Sequence, residues 1–279
     1  MTKEDYFMKK LVGVGNQISE LSTKILSFTH FGHGDQTKYE ICGGLLVRIT
    51  KLHHTILQMA CDKKGEIIPI LQRPLIETYL SLAYLLKKDD AKVYQKFIER
   101  NAIDDKRQKH AILQKVSGKK QMPIEKRMLS SIAKHVANDN IDFTKIPDKP
   151  SGTTWIPGVE YKDMAKEIKW PDLYTFFYKT ATRFSHPSWH DIKTNHLSPC
   201  KNHEKGKEHY ILDNRYRSPK PQLLEASFVV TLKALCIFNF NFCGNNEDFN
   251  KTVTEIENVV FQEIQEHEEH LQKSSFKKK

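Results

Sequence analysis

The sequence predicts an all-α protein, a multi-helix bundle with a basic helical insert and long irregular loops. Apolar residues recur three and four apart along most of the chain, and strand-like alternation is scarce. Hydrophobic residues make up 39% of the 279 and charged residues 28%, which suits a globular chain with a real core. No internal repeat or coiled-coil heptad competes with that reading.

Residues 4–28 form a first amphipathic helix carrying Leu11, Val14, Ile18, Leu21 and Ile25. A Gly/His turn follows at Phe31–Asp35, and Asp35 is placed to cap the second helix, 37–63. That helix sets Leu45, Leu46, Ile49, Leu52, Ile56 and Met59 on one side and Arg48, Lys51 and His54 on the other. Helix three, 67–88, is apolar almost all round, through Leu71, Leu75, Ile76, Tyr79, Leu80, Leu82, Tyr84 and Leu85. Such a helix belongs at the centre of a bundle. Pro69 fits its first turn, whereas Pro74 has no N–H for the carbonyl of Ile70 and is expected to bend it.

The next two helices, 89–116 and 123–138, are basic and are punctuated by Gly118 and Pro123. Residues 139–158 hold Pro147, Pro150, Gly152, Pro157 and Gly158 and are expected to be a loop, a candidate lid over a cleft. A short helix is expected from Asp163 to Ile168. Another, from Asp172 to about Ser185, should bury Leu173, Tyr174, Phe177 and Phe184. From His190 to Lys220 the chain turns irregular, apart from an extended piece at Glu208–Leu212 that suggests a small hairpin. Helices 221–243 and 247–272 close the fold. The chain reads as a single helical domain, 1–279, with 89–158 a candidate insert or subdomain and 273–279 a flexible basic tail.

The formal net charge is +10, unevenly spread. Between Lys87 and His135 there are 14 Lys/Arg against 6 Asp/Glu; from Asn246 to Gln272 there is 1 lysine against 8 acids. The basic stretch either attracts a polyanion such as RNA or merely solvates helix faces. The acidic helix is suited to a basic surface of its own protein. Five scattered cysteines fit reduced thiols in a cytoplasm better than a disulfide framework. Met1–Lys10 is polar with no apolar run after it, so no signal peptide is expected. The longest apolar window, Leu223–Cys243, is interrupted by Glu225, Lys233, Asn239 and Asn241, and reads as a core helix rather than a membrane span. The expectation is a cytoplasmic protein that engages no membrane.

Two stretches carry potential chemistry. In helix three, Arg73, Glu77 and Ser81 stand four apart and draw a narrow polar stripe on an apolar element. A buried charge is costly unless it finds a partner. The stripe is therefore either a structural ion pair or a functional one, with Arg73 an anion clamp or Glu77 the orienter of a histidine. The second stretch is Arg183-Phe184-Ser185-His186-Pro187-Ser188-Trp189-His190. Pro187 cannot donate to the carbonyl of Arg183, so the helix must kink or end there. Ser185 and Ser188 either join the polar cluster or bond freed backbone groups. Arg183, His190 and His186 are the catalytic candidates, with Arg73, Glu77, Ser185 and Ser188 supporting. His186 and His190 also have zinc-ligand spacing, with Asp191, Cys200 and His203 downstream. No glutamate follows His186 and Cys200-x-x-His203 lacks a second pair, so no metal or other cofactor is expected. Phosphate-loop and nucleophile-elbow motifs are missing from the sequence.

Arg73-Pro-Leu-Ile-Glu77-Thr-Tyr79, followed by Phe184-Ser-His-Pro-Ser188, resembles a bacterial family of uncharacterised helical domains. The pattern of that family is an arginine–glutamate helix and a tyrosine-containing helix ending in Ser-x-x-His or Ser-His-Pro-Ser. The likeness speaks for a bundle between about 37 and 244. Arg183 and His190, with six residues between them, are also similar to the signature of HEPN domains, helical bundles that include RNases of toxin and antiphage systems. That resemblance implies metal-independent RNA cleavage in a bacterial defence or toxin-type system. It also implies a homodimer with a site shared between copies, and leaves room for a regulatory protein partner. The rival expectation is a non-catalytic sensor or scaffold whose polar residues only pack.

Overall fold

Helix α3 (Ile67–Lys88) runs through the middle of the fold because its sequence leaves it almost no polar face. In this computed structural model, residues 3–27, 35–118, 120–138, 141–148, 154–186, 188–200 and 210–276 are described. Around α3 pack α2 (Gln36–Cys61) and α9 (Pro221–Phe242), while α1 (Lys3–Ser27) and α10 (Glu247–Phe276) lie against α9 and each other. Leu11, Ile18, Leu46, Ile49, Leu75, Leu80, Phe228 and Phe238 meet in one continuous core. Asp35 caps α2 by accepting from the N–H groups of Thr37 and Lys38, as the sequence predicts. The turn expected just before it lies outside the described residues.

Pro74 does not end α3, which is one helix from Ile67 to Lys88. Its arms are tied to neighbours: Arg48 Nε of α2 donates to Thr78 Oγ1, and Gln72 of α3 donates to the Leu223 carbonyl and the Ser227 hydroxyl of α9. Helix α9 is long and apolar enough to cross a membrane by length and composition, yet 67% of that window is buried inside the bundle. The acidic helix α10 does find basic residues of its own chain. Lys10 of α1 reaches Glu263 and Glu266, and Lys233 of α9 reaches Glu257. It continues to Phe276, so part of the expected flexible tail is helical; residues 277–279 lie outside the described residues.

The basic stretch folds as α4 (Ala91–Val116) and α5 (Pro123–Asn138). A small core of its own, Ala102, Ile103 and Ile146 with Ile141 and Phe143, sits apart from the main one. The described part of the 139–158 loop is fastened down, not hung over a cleft like the expected lid. Ile146 and Ile156 are buried, and Arg100 of α4 donates to the Thr154 carbonyl.

The remaining elements frame the site. Helix α6 (Tyr161–Glu167) leads into a π-helical turn, Leu173–Tyr178, which continues as α7 (Lys179–Phe184). A one-turn α8 (Trp189–Asp191) passes into a second π-helical turn, Ile192–His196, where irregular chain was expected. Strands β1 (Leu197–Pro199) and β2 (Tyr210–Leu212) then pair antiparallel, Ser198 opposite Ile211. This is the small hairpin, although Glu208 lies outside the described residues. The π-turn also changes which side of its helix faces in. Bonding five residues back widens the turn and rotates the faces, so Phe177 is exposed rather than buried. Tyr174 and Phe184 are half-buried and Leu173 is fully buried.

Candidate functional site: a cation-lined pocket beside an arginine–histidine cluster

Glu66, Pro69, Arg73 and Glu77 follow one another at spacings of three and four along one stripe of α3 and its N-cap. Against that stripe pack α7 and the turn before it. The outcome is two adjoining polar groups.

At Arg73 and Glu77 the polar atoms converge. Arg73 Nε donates to Glu77 Oε1 at 3.0 Å, and the Tyr178 hydroxyl donates to the same oxygen at 3.1 Å. Arg73 Nη1 donates to His186 Nε2 at 2.6 Å. A guanidinium has no acceptor, so Nε2 must accept and the ring proton of His186 sits on Nδ1. The same guanidinium lies over the Tyr178 ring, 5.7 Å from its centre. Burial, then the Glu77 charge, pushes the Tyr178 hydroxyl up to about 12, so it stays a donor. The stripe is not sealed inside: the Arg73 and Glu77 side chains are 27% and 19% exposed. Ser81 is buried and donates to the backbone carbonyl of Glu77, which takes it out of the charged group.

Next to this cluster lies an open pocket of about 260 Å³, lined among others by Glu66, Pro69, Thr180, Arg183, Phe184, His190, Asn195, Arg217 and Lys220. Arg183 and His190 thus share one cavity, by a route other than a resumed straight helix. Helix α7 stops at Phe184, where Ser185 Oγ donates back to the Ala181 carbonyl. Ser188 then caps α8, accepting from the Asp191 N–H and donating to the Arg183 carbonyl. Both serines serve the backbone, not the site. The reversal folds Phe184 against His190, ring centres 5.6 Å apart. Pro187 itself lies outside the described residues.

Arg217 and Lys220 were not anticipated from the sequence. They sit on the irregular strap between β2 and α9, which no periodicity organises. What holds the strap is Asp213, a buried carboxylate bonded by Ser198, Arg215 and Arg217. The Arg215 guanidinium, with Ser198 helping, keeps it well below the usual carboxylate range. Arg217 also donates from Nη2 to the Leu197 carbonyl at 2.7 Å and from its backbone N–H to Glu66 Oε2 at 2.7 Å. The Gly65 N–H returns a bond to the Arg217 carbonyl at 2.7 Å. The one legible signal was the run Asp213-Asn-Arg215-Tyr-Arg217, an acid followed by two alternate arginines.

Arg183 and Lys220 line the pocket with one carboxylate, Glu66, and Arg217 lines it too, its guanidinium bonded to Asp213 and the Leu197 carbonyl. That balance suits an anion with several oxygens, such as a phosphodiester. A larger groove between α4 and α5, about 620 Å³, is lined mainly by Leu113, Leu129, Ile132 and Val136, with Lys109 and Asp142 its charged residues. It lacks comparable chemistry. Among the described residues no three His, Cys, Asp or Glu side chains gather as metal ligands. His186 points to Arg73, and the chain turn breaks the helical spacing to His190; His203 lies outside the described residues.

Residues 39–206 match the model of DUF5677, a family of unknown function. The chain belongs to the DUF5677 family. The stretch matched to DUF5677 covers well over half of the sequence and contains Arg73, Glu77, Tyr178, Arg183, His186 and His190. Arg217 and Lys220 fall beyond the DUF5677 match, on the strap that completes the pocket. No curated protein and no solved structure matches the chain.

Proposed function

We propose that this DUF5677 protein is a HEPN-like endoribonuclease of a bacterial defence or toxin-type system, cleaving RNA without a metal. The observation that carries the reading is that Arg183 and His190 line one open, cation-rich pocket although the helix breaks between them. Arg183 and Lys220 hold the phosphodiester and stabilise the charge that builds on its oxygens, with Arg217 beside them fastening the strap. His190 takes the proton of the 2′-hydroxyl as its oxygen bonds to phosphorus, and returns a proton to the departing 5′-oxygen. The phosphorus–5′-oxygen bond breaks, leaving a 2′,3′-cyclic phosphate and a free 5′-hydroxyl. His186, held by Arg73, supports the wall of the pocket. The basic insert supplies backbone contacts along the RNA, and a second copy of the chain faces the open side.

The test is cleavage of a single-stranded RNA by the purified protein in the presence of EDTA. Arg183→Ala and His190→Ala should each lower the rate by about 100-fold or more, a typical scale for losing an acid–base or charge-stabilising group. Cleavage untouched by both substitutions removes the site assignment. A second reading, a non-catalytic sensor or scaffold, is favoured by the Arg73–Glu77–Tyr178–His186 cluster, whose polar atoms pair with one another. Complete lack of cleavage, together with no growth toxicity, decides for it.

A further inference from the structure

Three large aromatics on the elements that supply the pocket lining stand exposed, and the cleavage chemistry leaves them unused. Trp189 is 65% exposed and Phe176 63% exposed, and Phe177 beside it is also turned outward. Isolated surface aromatics need no explanation, but these three are placed by the elements that build the pocket. Thr180 and Arg183 line the cavity, and Phe176 lies one turn before Thr180, in the π-helical turn that α7 continues. The Thr180 hydroxyl bonds to the Phe176 carbonyl, which fixes that spacing. Phe177 stands three and seven residues before Thr180 and Phe184, also lining residues. Trp189 adjoins His190 in the one turn of α8, across the chain reversal from Phe176. Lys179, next in sequence to Thr180, is exposed and reaches over the Tyr174 ring, 5.6 Å from its centre. Cationic residues therefore line the cavity, and exposed aromatic rings are carried by the same helical elements.

We propose that Phe176, Phe177 and Trp189 form a stacking platform that selects single-stranded RNA, taking unpaired bases on either side of the phosphate held by Arg183 and Lys220. Duplex bases are already stacked on each other and cannot offer their faces to protruding rings, whereas a single strand can. Charge complementarity supplies the backbone contact. This inference rests on the RNA reading of the pocket.

The experiment uses the full chain and a fluorescein-labelled 12-mer of 2′-O-methyl RNA, which lacks the attacking hydroxyl. Binding is followed by anisotropy, against the same strand annealed to its complement. The single strand should bind at least tenfold more tightly than the duplex. Phe176→Ala and Trp189→Ala should each weaken it about tenfold, the scale of removing one base–aromatic stack, and Trp189→Phe should restore most of that loss. In a Trp155→Phe/Trp170→Phe background the remaining Trp189 emission should be quenched by the strand. Equal binding of duplex, binding indifferent to both alanine variants, or no binding of the single strand overturns the platform. Binding without cleavage of the 2′-hydroxyl strand removes the nuclease reading and leaves the platform. Cleavage that tolerates Phe176→Ala and Trp189→Ala does the reverse.

Discussion

Arg73 donates to His186 Nε2 across 113 positions of sequence, at 2.6 Å. That bond joins the central helix to the turn after α7, and it forces the imidazole to present Nδ1–H on its other side. Glu77 is what makes the arrangement hold, because it accepts from both Arg73 and Tyr178.

Replacing Glu77 should therefore be felt at two donors. Glu77→Ala leaves the Arg73 guanidinium and the Tyr178 hydroxyl short of an acceptor in a half-buried site, and should cost about 1–3 kcal/mol. Urea unfolding measures it. A double-mutant cycle with Arg73→Ala should show coupling of at least about 0.5 kcal/mol, since residues sharing one network are not additive. Additive behaviour would show that the pair contributes no specific stabilisation.

Gly65 is expected to be the position at which the strap tolerates no side chain. A Cβ there would lie 2.6 Å from the Pro219 backbone and from the Ser218 carbonyl oxygen. Backbone cannot swing aside as a side-chain tip can. Gly65→Ala should displace the strap bearing Arg217 and Lys220 and weaken binding of a single-stranded oligonucleotide. The salt dependence of that binding should become shallower by about 0.7 for each phosphate that no longer meets a cation. Gly15→Ala, whose Cβ would press on Leu57 and Phe228 in the core, is the control: it should lower stability with little change in that slope.

Glu225 sets a stability slope at mildly acid pH. Burial, then the charge of Glu268, pushes its carboxyl up to about 7, and its Oε1 has no hydrogen-bond partner among the described residues. The folded state thus holds this proton more tightly than the unfolded chain. The contribution is full below the ordinary value near 4.5 and is lost as pH rises through 7. Glu225→Gln, which cannot ionise, should be more stable than the parent by roughly 3 kcal/mol at pH 8, with the difference vanishing by pH 4. Parallel urea titrations at the two pH values check it.

His53 slopes the other way. Burial lowers its imidazole to about 4, against the raising effect of the Gly15 carbonyl bonded to Nε2. A depressed base contributes stability that is full above the ordinary value near 6.5 and is lost as pH falls through 4. His53→Gln keeps an amide donor for that carbonyl and removes the titration. Measured in the Glu225→Gln background between pH 7 and 4.5, it should flatten the acid loss. An unchanged loss would show that His53 does not titrate in this range.

Helical periodicity by itself determined the bundle. Leu11, Val14, Ile18, Leu21 and Ile25 face inward as the spacing requires, and α3 begins and ends at the residues its composition marks. Such patterns are local: three- and four-residue spacing decides which side of a helix is apolar, whatever packs on it. The same locality drew attention to Arg73, Glu77, Arg183, His186 and His190, because charges on apolar helices and residues around a proline stand out in one dimension. Only the tertiary structure decided how they are grouped. It sent His186 to Arg73 and His190 into the cavity with Arg183, and it reduced Ser185 and Ser188 to backbone caps. It also turned Phe177 outward and brought Arg217 and Lys220 to the pocket. A π-turn and an irregular strap have no sequence period, since the one depends on how its helix packs and the other on Gly65 and Glu66 meeting Arg217 far along the chain. Long-range contacts of that kind are settled by which folded arrangement satisfies most buried polar groups at once, and no local pattern carries that information.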